Sequence, residues 1–150
     1  MQYKHSFRVN ASQSVVAAFH MRSDSLGAIT PPPIRTQVHN APADLSAEGE
    51  MDFTVWFGPF PIRWKALIEN VSKSGFVDRQ IGGPFSAWVH RHSFESLPDG
   101  GTEVIDNIRL HFKLHLWWGL VGLGFWLGLP FLFAYRGWKT RRLLEAVPLQ

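Results

Sequence analysis

The sequence predicts an α+β fold: a curved antiparallel sheet of about seven strands, two short helices after the first strand, and a long C-terminal helix covering one sheet face. Three observations carry this. Short runs alternating between apolar and polar residues recur along residues 2–112, separated by brief proline- and glycine-rich turns, and tight turns make consecutive strands antiparallel neighbours. One stretch, Gly75–Phe94 (GFVDRQIGGPFSAWVHRHSF), reads as a complete hairpin. The C-terminal segment is the one element long enough to cover a sheet face, and a curved sheet needs such a cover.

Residues 2–9 alternate cleanly, with Tyr3, His5, Phe7 and Val9 on one side, which predicts the first strand. Ser12 is a candidate N-cap for a helix over about 13–21, with Val15, Val16 and Phe19 as its apolar side. Ser23-Asp24-Ser25-Leu26 starts a second helix, which must end before Pro31-Pro32-Pro33. A strand near 34–39 follows, with Ile34, Thr36 and Val38 in phase, and then a polar turn region over Asn40–Gly49. Met51, Phe53, Val55 and Phe57 are in phase for another strand, ended by Gly58-Pro59-Phe60-Pro61. Ile62, Trp64, Ala66 and Ile68 line one side of the next. Beyond the hairpin, Leu97-Pro98-Asp99-Gly100-Gly101 is a turn. The last strand, about 102–112, puts Asp106, Ile108 and Leu110 on one face.

In the hairpin, Ile81-Gly82-Gly83-Pro84 is the turn, because glycine accepts positive φ and Pro84 cannot sit inside a ladder. Period-two alternation then places Phe76, Asp78 and Gln80 together on the first arm, and Trp88, His90, His92 and Phe94 together on the second. A core strand would be apolar at these positions, and a solvent face would not need the tryptophan. A concavity that is partly dry and partly polar accounts for both.

From Leu116 to Tyr135 no residue is charged, and Arg136, Lys139, Arg141 and Arg142 follow. Length and flanking charge satisfy the rule for a membrane span, which would make the chain a membrane-anchored interaction domain. The preferred reading is a glycine-rich connection followed by a helix from Pro130 to about 146, its inner stripe Phe131, Ala134, Tyr135 and Trp138, because the sheet face needs a lid. Peripheral membrane contact through Trp117, Trp118, Arg136, Lys139, Arg141 and Arg142 is compatible with that reading.

Composition narrows the function classes. The 150 residues suit one domain with a real core, here 1–150, and seven Trp with twelve Phe suit a large core or an apolar pocket. With no Cys, disulfides, thiolate metal sites and a cysteine nucleophile are excluded. The net charge of +3 comes with no Lys/Arg stripe interleaved with aromatics, so no nucleic-acid partner is expected. The opening MQYKHSFRVN lacks a signal-peptide apolar run, and the expected location is cytoplasmic.

His90 and His92 lie two apart on one strand face, a spacing that can serve a metal, but further ligands would have to come from Asp78 or Asp106 and no metal or other cofactor is expected. The same residues could move protons, since a histidine beside a buried carboxylate is tuned toward neutral pH. The preferred reading is a buried hydrogen-bond network among Asp78, Gln80, His90, His92 and Asp106 that fixes strand register and lines a cavity floor, because unpaired buried charges are costly.

The element order resembles the START-like helix-grip fold of the SRPBCC superfamily, which includes pollen-allergen-type carriers and polyketide cyclase/dehydrase-like proteins. The phrase Phe76-x-Asp78-x-Gln80-x-x-Gly83-Pro84-Phe85-x-x-Trp88-x-His90-x-His92-x-Phe94 is similar to one in a bacterial SRPBCC group, as are Gly101-Thr102 with Asp106, and Leu26-x-x-Ile29-Thr30-Pro31-Pro32. The chain departs from the group at Leu110, where a tyrosine is usual, and in its more apolar ending. It also resembles domains fused to nucleotide-sugar epimerase-like proteins. The resemblance implies a carrier or sensor for an apolar or amphipathic small molecule. Its expected pocket is built from Trp64, Phe76, Gln80, Trp88 and Phe94, with His90, His92, Asp106 and Ile108 beside them. The alternative it implies is a cyclase/dehydratase-like enzyme using His90 or His92 with Asp78 or Asp106.

Overall fold

The strand alternation and turn residues produce seven strands and three helices in the computed structural model, which describes residues 1–42 and 44–145. The order is β1 (Gln2–Val9), α1 (Gln13–His20), α2 (Ser25–Ala28), β2 (Arg35–Asn40), a 3-10 turn (Leu45–Ala47), β3 (Gly49–Phe57), β4 (Phe60–Ser72), β5 (Gly75–Gly82), β6 (Phe85–Ser96), β7 (Thr102–Phe112) and α3 (Leu116–Leu144). All strand pairs are antiparallel in one sheet ordered β1-β7-β6-β5-β4-β3-β2. The first two strands of the sequence are therefore its two edges, joined through α1 and α2. Ala43, within the polar stretch 40–49, and the expected helix end near 146 lie outside the described residues.

The helix starts differ in detail from expectation. Ser12 precedes α1, but its hydroxyl bonds Ser14 at 3.1 Å and makes no cap bond. The buried side of α1 is Val16 and Ala17, while Val15 is exposed, because the helix presses on Phe94 and Val104 through that narrower face.

The largest correction concerns the C-terminal segment. Helix α3 begins at Leu116 rather than Pro130, so Gly119, Gly122, Gly124 and Gly128 are helical, not connecting. Tertiary packing overrides the glycine propensity. Phe125 packs edge-on against Phe57 and Phe85, Trp126 meets Tyr3, and Gly122 lies so close to Phe112 that a Cβ there would stand 2.8 Å from its ring. Pro130 sits on the exposed side. The buried stripe is Gly122, Leu129, Phe133, Gly137 and Thr140, not Phe131, Ala134, Tyr135 and Trp138. A helix apolar all round carries no phase information in its sequence; the sheet selects the face.

The core has two clusters. Phe7, Val9, Val16, Phe76, Phe94 and Val104 pack at one end; Trp64, Phe85, Trp88, Ile108, Leu129 and Phe133 pack beneath α3. Gly75 opens β5 at φ 141°, with its Cβ position 1.9 Å from the His92 carbonyl oxygen, so only glycine fits where β5 meets β6.

Candidate functional site

Strand register assembles the polar side chains. Across β5–β6, Phe76 is opposite His92 and Asp78 opposite His90. Across β6–β7, His92 is opposite Asp106 and His90 opposite Ile108. Two carboxylates and two imidazoles from three adjacent strands therefore meet on the face beneath α3.

They form a closed square. His90 Nε2 donates to Asp106 Oδ1 at 2.9 Å and His92 Nε2 donates to Asp78 Oδ2 at 3.0 Å. The remaining ring nitrogens face the opposite carboxylates: His90 Nδ1 is 3.1 Å from Asp78 Oδ2, and His92 Nδ1 is 3.1 Å from Asp106 Oδ1. That last contact lacks hydrogen-bond geometry, leaving His92 Nδ1 buried and unbonded. Trp88 Nε1 donates to the other Asp78 oxygen at 3.2 Å.

An ionised carboxylate only accepts, so an imidazole held between two of them is best satisfied carrying both protons. Burial opposes the charge on His90, but the Asp78 carboxylate and the hydrogen bond to Asp106 outweigh it and push His90 up to about 9. Burial likewise opposes ionisation of Asp78 and Asp106. His90 and His92 nevertheless hold both carboxyls far below the usual carboxylate range. Asp78, His90 and His92 also bring ligand atoms within 4.8 Å of one another, as a divalent ion requires.

A cavity of about 200 Å³ lies between this square, α2, β3, β4 and α3. Its walls are mostly apolar, from Leu26, Met51, Phe53, Trp64, Phe125 and Phe133, with a polar wall of Asp78, His90, His92, His20 and Arg136. Of the residues expected to line it, Trp64, Phe76, Trp88, His90 and His92 do, with Asp78 beside them. Four others have different places. Gln80 donates to the Phe85 carbonyl at 2.8 Å and braces the β5–β6 turn. Phe94 is fully buried among Val9, Val16 and Val104, and Ile108 is fully buried behind the cavity wall. Asp106 stands behind the imidazoles, bonded to them.

Arg136 is the residue that sequence reading misplaced. Its sequence position groups it with the basic membrane-facing cluster, yet its side chain enters the cavity and its Nε is buried without a hydrogen-bond partner among the described residues. Its cation stands 5.2 Å from the centre of the Phe133 ring. Burial lowers its proton affinity, and Asp106 and Asp78 partly restore it. The signal was present in its spacing, three after Phe133 and four before Thr140, but that stripe is visible only once the inner face is known.

No protein-family model and no curated protein matches the chain. Solved structures do. A START superfamily protein from Mycobacterium smegmatis matches with a TM-score of 0.68 at 11% identity, covering 97% of each chain. Zhui aromatase/cyclase from a Streptomyces species matches with a TM-score of 0.67 at 15% identity, covering 99% of each. A nucleoside-diphosphate sugar epimerase from Corynebacterium glutamicum matches at 23% identity with a TM-score of 0.67, over 95% of this chain but 29% of that one. These likenesses concern backbone architecture, and they agree with the strand order and covering helix described above. In fold, the chain is a START-like helix-grip protein.

Proposed function

We propose that this protein binds an amphipathic small molecule in the cavity between the sheet and α3, its apolar body against Phe53, Trp64 and Phe125 and its polar end toward Arg136. The observation that carries this is the mismatch within the cavity: a mostly apolar lining holds the Arg136 guanidinium, whose Nε has no hydrogen-bond partner among the described residues. An unpaired buried cation is costly, and an acceptor oxygen on the ligand would relieve it. START-like neighbours support a small-molecule role, as a property of the fold class.

Native mass spectrometry of the purified protein tests the reading. A co-purified small molecule, displaced by a naphthalene-sized competitor such as 1-naphthoate, is the expected result. Arg136→Gln should weaken 1-naphthoate binding at least tenfold while leaving 1-naphthylmethanol less affected, given about 1.5–3 kcal/mol for a charge-assisted bond. Absence of any bound or bindable apolar molecule would overturn the proposal.

A second reading is favoured by His90 and His92 on the cavity wall, each within 3.1 Å of both carboxylates. In it, the square is an acid–base device of a cyclase- or dehydratase-like enzyme. An enzyme of that kind should lose turnover by roughly 10²–10⁴-fold in His92→Gln with the fold intact. A carrier should keep its ligand affinity in the same variant.

A further inference from the structure

Helix α3 has a second apolar face, and no described residue of the fold covers it. Leu116, Leu120, Leu123, Leu127, Phe131 and Trp138 are all exposed, from 43% for Leu123 to 84% for Leu116. At 100° per residue they fall within about 40° of one line, and from first to last they run about 33 Å. The opposite face of the same helix grips the sheet through Leu129, Phe133 and Gly137. A lid helix of a freely soluble domain would be polar on its outer side. This one is apolar in both directions.

The charges around the stripe have one sign. Residues 113–144 hold Lys113, Arg136, Lys139, Arg141 and Arg142 and no Asp or Glu. Arg136 turns inward. Lys113 precedes the helix, over the Trp118 ring at 5.2 Å, and Arg142 lies over Trp138 at 5.3 Å. Lys113 and Trp118 lie on the inner side, where the ammonium donates to the Gly83 carbonyl at 2.6 Å, so the stripe has its cations at the C-terminal end, with Arg142 beside the Trp138 indole. That is the pattern of a helix lying in the plane of an anionic lipid surface: apolar side chains below the headgroups, cations level with the phosphates, and tryptophan between.

We propose that the outer face of α3 docks the protein onto anionic membranes as an in-plane helix. A span is disfavoured by the inner face. Drawing α3 across a bilayer would strip Leu129, Phe133 and Gly137 from the sheet and open the core beneath. Docking leaves the grip intact, with the cavity-lining Phe125, Leu129 and Phe133 still turned toward the sheet.

Sedimentation of the full-length protein with vesicles decides it. Vesicles of phosphatidylcholine with phosphatidylglycerol should carry the protein down, and phosphatidylcholine alone should carry much less. Leu127→Glu with Phe131→Glu lies on exposed positions and should leave the thermal midpoint unchanged while reducing vesicle binding at least tenfold. Arg141→Gln with Arg142→Gln should reduce it about 25-fold on anionic vesicles, from about fivefold per cation near the surface. Three outcomes would overturn the proposal. One is equal affinity for both vesicle types; another is retention after a carbonate wash, which means an integral span. The third is no vesicle binding, with a dimer that the Leu127→Glu, Phe131→Glu variant dissociates, which makes a second copy the occupant.

Discussion

The imidazoles of His90 and His92 lie with ring centroids 3.8 Å apart. Alternate strand positions are separated by roughly 6.6 Å along the strand, so the two rings lean toward each other. The clamp that draws them together is the carboxylate pair: Asp78 and Asp106 each face both rings, one from β5 and one from β7. Register across three strands is thereby written into one polar cluster.

Breaking that cluster on one side should cost more than removing it. Asp106→Asn takes the hydrogen-bonded carboxylate from His90 and leaves Asp78 as its remaining counter-charge, and it is expected to destabilise by about 1–3 kcal/mol in urea unfolding. Asp78→Leu and Asp106→Leu combined with His90→Leu and His92→Leu should be milder than the sum of the single changes. Additive losses would show that the square does not act as a unit.

The pH profile separates two histidines. His90 is raised to about 9 in the fold from 6.5, so its contribution is complete below pH 6.5 and is lost as pH rises through 9. Asp78 and Asp106 are depressed below 3.8, so theirs is present above that pH and lost in stronger acid. His20 runs the other way: burial pushes it down to about 4, and its contribution is present above 6.5 and lost as pH falls toward 4. Thermal midpoints should therefore peak near pH 6.5. His90→Gln should flatten the alkaline limb, His20→Gln the limb between pH 6.5 and 4. An alkaline limb unchanged in His90→Gln would refute the assignment.

Trp88 has two duties that substitutions can divide. It is buried against Trp64 and Phe85, and it donates to Asp78. Trp88→Ala should cost about 3–5 kcal/mol by calorimetry or urea unfolding. Trp88→Phe keeps most of the packing and should lose only about 1–3 kcal/mol, the cost of leaving an acceptor short of a donor. Equal losses in the two variants would mean that the hydrogen bond dominates.

Gly75→Ala tests the backbone approach beneath His92. A methyl group there meets the His92 carbonyl oxygen at 1.9 Å, so β5 and β6 must part or shift. The expected result is a loss above the roughly 1 kcal/mol typical of a point substitution, with amide exchange accelerated in β5 and β6. Gly100→Ala, where no atom lies within 4 Å, should be the milder change despite its positive φ of 85°.

Period-two alternation and turn residues determined the strands, because each follows from local sterics and side-chain direction along a short run. The same alternation determined that Phe76 and Asp78 share a side of their strand and that Trp88, His90 and His92 share a side of theirs. It could not say that register sets Asp78 against His90 and Asp106 against His92, since pairing across strands is a property of the assembled sheet. Gln80, Phe94 and Ile108 were in phase with the cavity, yet curvature carried them to a turn brace and to solid core. The C-terminal helix was the least legible element. Apolar in every direction and crowded with glycine, it has no periodic signal of its own. Only packing against Phe112, Phe85 and Tyr3 decided that it is helical from Leu116, that Phe133 points inward, and that Arg136 enters the cavity rather than the solvent.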